Sequence, residues 1–226
     1  MSDNTQADLL RRVDNYIEAL FSANDWVLEQ ALEESKKNDL PPINVSANEG
    51  RLLYILAKMC HASKILEMGT LGGYSTIWLG RALHPGGRLL SLEYEAKHAE
   101  VARANIARAG LSEVVEVRLG AALNLLPEIA ANNEGPFDLF FIDADKVNYP
   151  GYLEWAIKLS HPGSVILSDN LVRNGSVIEP PEGDQVAETV ARFNQELANN
   201  AHLESIILPI TREQTDGLGI SIVRSL

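Results

Sequence analysis

From Lys64 to Ser168 the chain repeats one pattern: a short run of consecutive apolar residues, then a longer stretch with apolar positions every three or four residues. An unbroken apolar run marks a strand buried on both faces, and the longer period marks an amphipathic helix. The runs fall at Lys64–Met68, Arg88–Glu93, Val114–Leu119, Phe137–Ile142 and Ser164–Ser168, with helices near 75–83, 96–109, 121–131 and 148–160. This strict alternation predicts a parallel, doubly wound α/β sheet of Rossmann-like form.

The two ends depart from that rhythm. Residues 8–38 read as two helices, the second capped by Asn24 and burying Leu28, Ala31, Leu32 and Ser35. Asp39-Leu40-Pro41-Pro42 ends it, because a residue before proline is pushed out of the helical region. Ser46-Ala47-Asn48-Glu49 has the capping-box form and opens a helix that turns Leu52, Leu53, Ile55, Leu56 and Met59 toward a core. Residues 1–60 are thus a helical segment ahead of a core at 61–226, all in one domain. After Ser168 a long loop runs from Asp169 to Asp184, through Gly175, Pro180, Pro181 and Gly183. A loop of that length is a candidate for function. A helix at about 184–199 follows, and Leu203–Leu208 and Leu218–Val223 then form an antiparallel hairpin across Thr211–Gly217.

Composition narrows the classes of function. A chain of 226 residues, 46% hydrophobic, can bury one sizeable core. No apolar run approaches the roughly 18–20 residues of a membrane span, and Met1-Ser2-Asp3-Asn4-Thr5-Gln6 lacks the positive start of a signal peptide. Cys60 stands alone, which excludes an internal disulfide and fits a cytoplasmic protein; it reads as a small buried apolar residue rather than a nucleophile. A net charge of −12 without a basic stripe speaks against a nucleic-acid partner. The histidines are scattered, with none paired at metal-ligand spacing.

Two stretches carry chemistry. The first, Lys64 to Thr76, is an apolar run ending in Glu67-Met68, a turn Gly69-Thr70-Leu71-Gly72-Gly73, and a helix opening at Ser75-Thr76. Glycine supplies positive φ and lets a ligand approach bare backbone, while a helix start leaves N–H groups unpaired. In an open α/β sheet that is where nucleotide-like cofactors sit. Glu93 ends the next strand, where an acid can accept from both ribose hydroxyls of an adenosine, or can cap the helix that follows. Glu67 would repel a pyrophosphate but suits a sulfonium and an ammonium, so the charge favours S-adenosylmethionine over a dinucleotide. Gly120-Ala121-Ala122 leaves room for an adenine ring, or simply begins a helix.

The second stretch is Phe137 to Lys146. Its strand delivers Asp143 to the sheet edge, with Lys146 one turn later, and the next strand delivers Asp169 and Asn170. Neighbouring strands lie about 5 Å apart. Two carboxylates and an amide carbonyl on one edge form a hard-oxygen set suited to Mg²⁺; each residue alone is also an ordinary cap or loop opening.

The motifs Leu66-Glu67-Met68-Gly69-Thr70-Leu71-Gly72-Gly73-Tyr74-Ser75, Phe141-Ile142-Asp143-Ala144-Asp145-Lys146-Val147-Asn148-Tyr149, and Ser168-Asp169-Asn170 with Asn174-Gly175-Ser176-Val177 carry a resemblance. The sequence resembles class I S-adenosylmethionine-dependent O-methyltransferases, in particular the cation-dependent group of caffeoyl-CoA and catechol O-methyltransferases. Ser46-Ala47-Asn48-Glu49-Gly50 fits as well. The resemblance implies a methyltransferase sheet, mostly parallel with a C-terminal antiparallel hairpin. It implies S-adenosylmethionine contacts at Val45, Glu67, Gly69, Thr70, Ser75, Glu93, Ala122, Asp143, Asp145 and Tyr152. It implies metal ligands Asp143, Asp169 and Asn170 for Mg²⁺ or another divalent cation such as Mn²⁺ or Ca²⁺. Lys146 would be the catalytic base beside Asp143, Asn174 a substrate-side residue, and the protein a homodimer. The expected acceptor is a small phenolic molecule with vicinal hydroxyls. Loop 171–183 and the N-terminal helices would form walls and lid, with Trp26, Trp155 and Tyr149 candidates for the acceptor slot, although core packing is the favoured fate of Trp155. The alternatives are an NAD(P)-dependent reductase, a methyltransferase of protein or RNA, and a module that binds S-adenosylmethionine without turning it over.

Overall fold

The computed structural model describes residues 3–22, 25–211 and 215–225. Three helices come first, α1 (Asp3–Phe21), α2 (Trp26–Lys37) and α3 (Ala47–Met59). There follow β1 (Lys64–Met68), α4 (Tyr74–Ala82), β2 (Arg88–Glu93), α5 (Ala96–Arg108), β3 (Val115–Leu119), α6 (Ala122–Ala131), β4 (Phe137–Ile142), α7 (Tyr149–Lys158) and β5 (Ser160–Ser168). The chain closes with α8 (Gln185–Asn199), β6 (Leu203–Thr211) and β7 (Thr215–Val223).

The strands form one sheet in the order β3-β2-β1-β4-β5-β7-β6. Strands β1 to β5 pair in parallel and β7 runs antiparallel to both β5 and β6. Reversal of strand order beside β1 is the switch point of a doubly wound sheet, and ligands bind there at the carboxyl ends. One face carries a core of Leu28, Leu53, Ile77, Leu79, Ile106 and Phe141 under α2 to α5. The other carries Leu66, Met68, Leu126, Phe140, Leu153 and Phe193 under α6 to α8. Alternate residues of β4 therefore serve both cores, which is why its sequence reads apolar without a break. Among the described residues no helix is long and apolar enough to cross a membrane.

The local signals hold where they are covalently close. Ser46 and Glu49 make both halves of the capping box. The cap of α2 is Asp25, whose side chain accepts from the Leu28 N–H at 3.2 Å; the expected cap, Asn24, lies outside the described residues. The inner face of α3 is narrower than its apolar content suggests. Gly50, Leu53 and Ala57, spaced three and four apart, are buried, whereas Ile55 and Met59 are exposed. Leu32 of α2 is likewise exposed, while Leu28 and Ala31 are buried. An outer-layer helix buries a stripe, and small residues on the stripe let it sit close. Strand β5 begins at Ser160 rather than Ser164, through an irregular stretch where its register to β4 shifts.

Candidate active site

Backbone pairing carries the sheet register past the strand ends. Gly69 N–H donates to the Leu92 carbonyl at 3.0 Å, Gly120 to Glu93 at 2.7 Å, Asp143 to Met68 at 2.9 Å and Asp169 to Ile142 at 3.0 Å. The residues that leave β1, β3, β4 and β5 are thereby set side by side on one edge. Gly69 has φ +98°, and a Cβ there would lie 2.1 Å from the Asp143 carbonyl oxygen, so the crossing of these segments requires glycine. Two cavities of about 730 and 760 Å³ open above the edge and share Ile43, Asn44, Val45, Asn170 and Arg173.

The first cavity is lined by Val45, Gly69, Thr70, Ser75, Glu93, Ala122, Asp143, Asp145 and Tyr152, nine of the ten residues expected around S-adenosylmethionine. Glu93, buried at the end of β2, accepts from Thr70 N–H at 3.1 Å and Leu71 N–H at 2.8 Å on one oxygen, and from Glu95 N–H at 2.8 Å on the other. It therefore grips the glycine turn as well as facing the cavity. Tyr152 donates to Asp145, whose second oxygen accepts from Asn148.

Glu67 is the tenth, and it does not line the cavity. Its carboxylate is wholly buried and accepts from Ser75 Oγ at 2.7 Å, Thr76 Oγ1 at 2.5 Å and Ser91 Oγ at 2.6 Å. Burial pushes its pKa up to about 7, against the pull of those three hydroxyls. The expectation of a carboxylate facing a cationic ligand is corrected: Glu67 holds Ser75, and through Ser91 it holds Thr70, whose hydroxyl is 2.5 Å from that of Ser91. Serine and threonine at the helix start supply what the buried acid needs, which removes its need for a ligand.

The second cavity is lined by Arg11, Asp14 and Asn15 of α1, by Pro42 to Val45 and Glu49, and by Asp169, Asn170, Arg173, Ile210 and Asp216. Asp143, lining the first cavity, and Asp169, lining the second, are neighbours across the junction, with Asn170 lining both. Asp169 is almost fully buried, and burial together with the charge of Asp143 raises its pKa to about 7. Two such carboxylates lack positive charge. Lys146 supplies part of it, with Nζ 3.0 Å from Asp143 Oδ1. The same Nζ donates to the Tyr149 hydroxyl at 2.7 Å, which in turn donates to the carbonyl of Asp169 or Ile142, 3.0 and 3.1 Å away. Among the described residues no three His, Cys, Asp or Glu side chains form a metal-holding group. Any divalent cation here would take its third protein oxygen from an amide. Asn170 meets that need, because its Nδ2 donates to Asp216 at 3.1 Å and so fixes which end of the amide is carbonyl. Its backbone, at φ +61°, is the left-handed conformation asparagine tolerates best among non-glycine residues. The donor set fits a hard cation.

Other expectations fail. Asn174 is exposed, at φ +55°, and lines neither cavity. Trp26 is exposed and Tyr149 fully buried, so neither lines the acceptor slot, while Trp155 packs against the core, as favoured for it. Burial of the Tyr149 ring in the core is the ordinary fate of a large aromatic side chain.

A sequence model of the O-methyltransferase family matches residues 19–224. The chain belongs to that family. This O-methyltransferase is 42% identical over 217 residues to a catechol O-methyltransferase of Niastella koreensis, covering 96% of this chain and 98% of that one. It is 44% identical over 214 residues to a catechol O-methyltransferase of Mycobacterium tuberculosis, covering 94% and 95%. Its fold superposes with a TM-score of 0.94 on an O-methyltransferase from Bacillus cereus in complex with SAH, 42% identical and covering 96% of this chain and all of that one. The NAD(P)-dependent reductase finds no support, and the enzyme transfers methyl groups.

Residues that the sequence did not single out complete the site. Tyr94, Glu95 and His98 continue the donor wall beyond Glu93, and their place in the first turn after β2 was a usable signal. Arg173 and Asp216 had none. Asp216 comes from the terminal hairpin and binds the N–H groups of Val172, Arg173 and Gly217 at 3.1, 3.0 and 2.8 Å.

Proposed function

We propose that this O-methyltransferase moves the methyl group of S-adenosylmethionine to one hydroxyl of a catechol-like acceptor. Asp143, Asp169 and Asn170 would hold a divalent cation, Mg²⁺ or another such as Mn²⁺ or Ca²⁺. The observation that carries this reading is the pair of adjoining cavities with two carboxylates and an oriented amide at their junction. Catechol O-methyltransferases at 42 and 44% identity over nearly the whole chain support the acceptor class, and the SAH-bound neighbour supports the donor.

A cation held by Asp143, Asp169 and Asn170 would supply the positive charge that lowers the pKa of an acceptor hydroxyl. This chain does the rest. The glycine turn, Glu93 and Ser75 seat the donor in the first cavity, and the second cavity places the acceptor oxygen across from it. Lys146, whose Nζ is held at the edge 3.0 Å from Asp143, is the group of this chain placed to receive the phenolic proton. The oxygen then forms a bond to the methyl carbon as the carbon–sulfur bond breaks, leaving a methyl ether and S-adenosylhomocysteine. Negative oxygen and positive sulfur cancel in that step, so the protein's contribution is alignment and exclusion of water. An exposed apolar row on α1, Leu9, Val13, Tyr16 and Leu20, supports a homodimer.

The test is methylation of vicinal diols with Mg²⁺ and then with excess EDTA. Activity should vanish with the chelator and return with the ion. Asp143→Ala should cost about a hundredfold or more in kcat while SAH still binds measurably. Full turnover in EDTA removes the cation from the reading.

A further inference from the structure

We infer that Arg173 reads a negative charge on the acceptor, so the favoured substrate is a vicinal diol that also carries a carboxylate. The inference rests on the proposed methyl transfer and deepens it. Arg173 follows Asp169-Asn170 by three residues and lines both cavities, placing it at their junction. Its backbone is fixed there: φ is +49°, and its N–H donates to Asp216 Oδ1 at 3.0 Å. Its guanidinium is left open. Nε is buried with no hydrogen-bond partner, and among the described residues the side chain makes no ion pair.

The nearby acids do not answer this charge. Asp216 spends one oxygen on three backbone N–H groups and the other on Asn170. Asp14 accepts from Asn48 at 2.6 Å, and Asp169 accepts from the Asn170 N–H at 2.7 Å. The side chain is partly buried, and a guanidinium nitrogen shut away from water without a partner is costly; the cost is relieved when a ligand brings the anion. A guanidinium with free N–H groups matches a carboxylate fork to fork. Two carboxylates can arrive in this site, one on the acceptor and one on the methyl donor. Arg173 lines the second cavity together with Asp169 and Asp216, neither of which lines the donor cavity, and this assigns it to the acceptor.

The full-length enzyme with Mg²⁺ decides the matter through kcat/KM for 3,4-dihydroxybenzoate and for its methyl ester, a pair that differs in charge. Wild type should prefer the acid. In Arg173→Gln the acid-to-ester ratio should fall about tenfold or more, through KM, and Arg173→Lys should keep part of the preference. An unchanged ratio in Arg173→Gln overturns the inference. So does a raised KM for S-adenosylmethionine with the ratio intact, which assigns the charge to the donor. If wild type methylates the ester well and the acid poorly, the inference falls while the methyl-transfer reading stands. If it methylates neither, both fall.

Discussion

On the β1–β3 side of the site, buried acids have partners from the chain itself. Glu67 takes three hydroxyls and Glu93 three backbone N–H groups. On the β4–β5 side the groups are held but not balanced. Asp143 and Asp169 raise each other's cost, Asn170, Arg173 and Asn174 all sit at positive φ, and a buried arginine nitrogen has no partner. The first side is a finished socket for a donor that is the same in every turnover. The second holds its unfavourable charges in place by the sheet and the Asp216 clamp, and a cation and an acceptor would complete it. Strain and unpaired charge persist where the surrounding structure over-determines them, and such places cluster at functional sites.

The two sides meet at Gly69, and the largest effect is expected there. A methyl group at this position faces a backbone oxygen at 2.1 Å and an unfavourable φ. Gly69→Ala should lose about 2–4 kcal/mol of stability and shift both sides at once, so donor affinity and turnover fall together. Gly86 isolates the backbone part, because it has φ +82° and a methyl group added there would meet nothing within 4 Å. Gly86→Ala should cost about 1 kcal/mol. Thermal melts of the two variants test this: equal losses would mean that the crossing of β1 and β4 is looser than the structure has it.

The same contrast explains what was legible in the sequence. The donor side is built from contiguous signals, a strand, a glycine turn and a helix start, each written within a dozen residues. The strands were legible because burial on both faces leaves an unbroken apolar run. The second cavity gathers Arg11 from α1, Asn44 from the link before α3, Arg173 from a turn and Asp216 from the last hairpin. Their meeting depends on β7 pairing with β5 at Ser168↔Gly219, a register no local pattern announces. Glu67 shows the opposite failure. Its position was read correctly, but its three hydroxyl partners lie eight, nine and twenty-four residues away and face inward. The sequence pattern could not say which side of the strand end the carboxylate takes.

Glu67 also sharpens the comparison, because a finished socket should depend on pH through this one acid. Its folded pKa of about 7 lies above the usual 4.5. Between those values the folded chain keeps a proton that the unfolded chain has released. The contribution of Glu67 to stability therefore falls as pH rises from 4.5 to 7 and stays level above, by about 3 kcal/mol at the limit. Glu67→Gln cannot titrate. The melting temperature of wild type minus that of the variant should drop by several degrees across this window, with EDTA present throughout. A flat difference would show that the three hydroxyls keep the carboxylate ionised despite its burial.

The smallest effect is expected at Asn174, just past the Arg173 edge of the second cavity. The side chain lines neither cavity, so its amide is not needed for binding, but its φ of +55° still selects the residue type. Asparagine and glycine tolerate that conformation and alanine does not. Asn174→Gly should leave kcat/KM for a vicinal diol within about twofold, and Asn174→Ala should cost about 1 kcal/mol of stability with KM unchanged. The two variants separate backbone from contact, since a side chain that touched the acceptor would lose affinity in both. A tenfold rise in KM shared by Gly and Ala would extend the acceptor surface past Arg173 and move the wall of the second cavity out to residue 174.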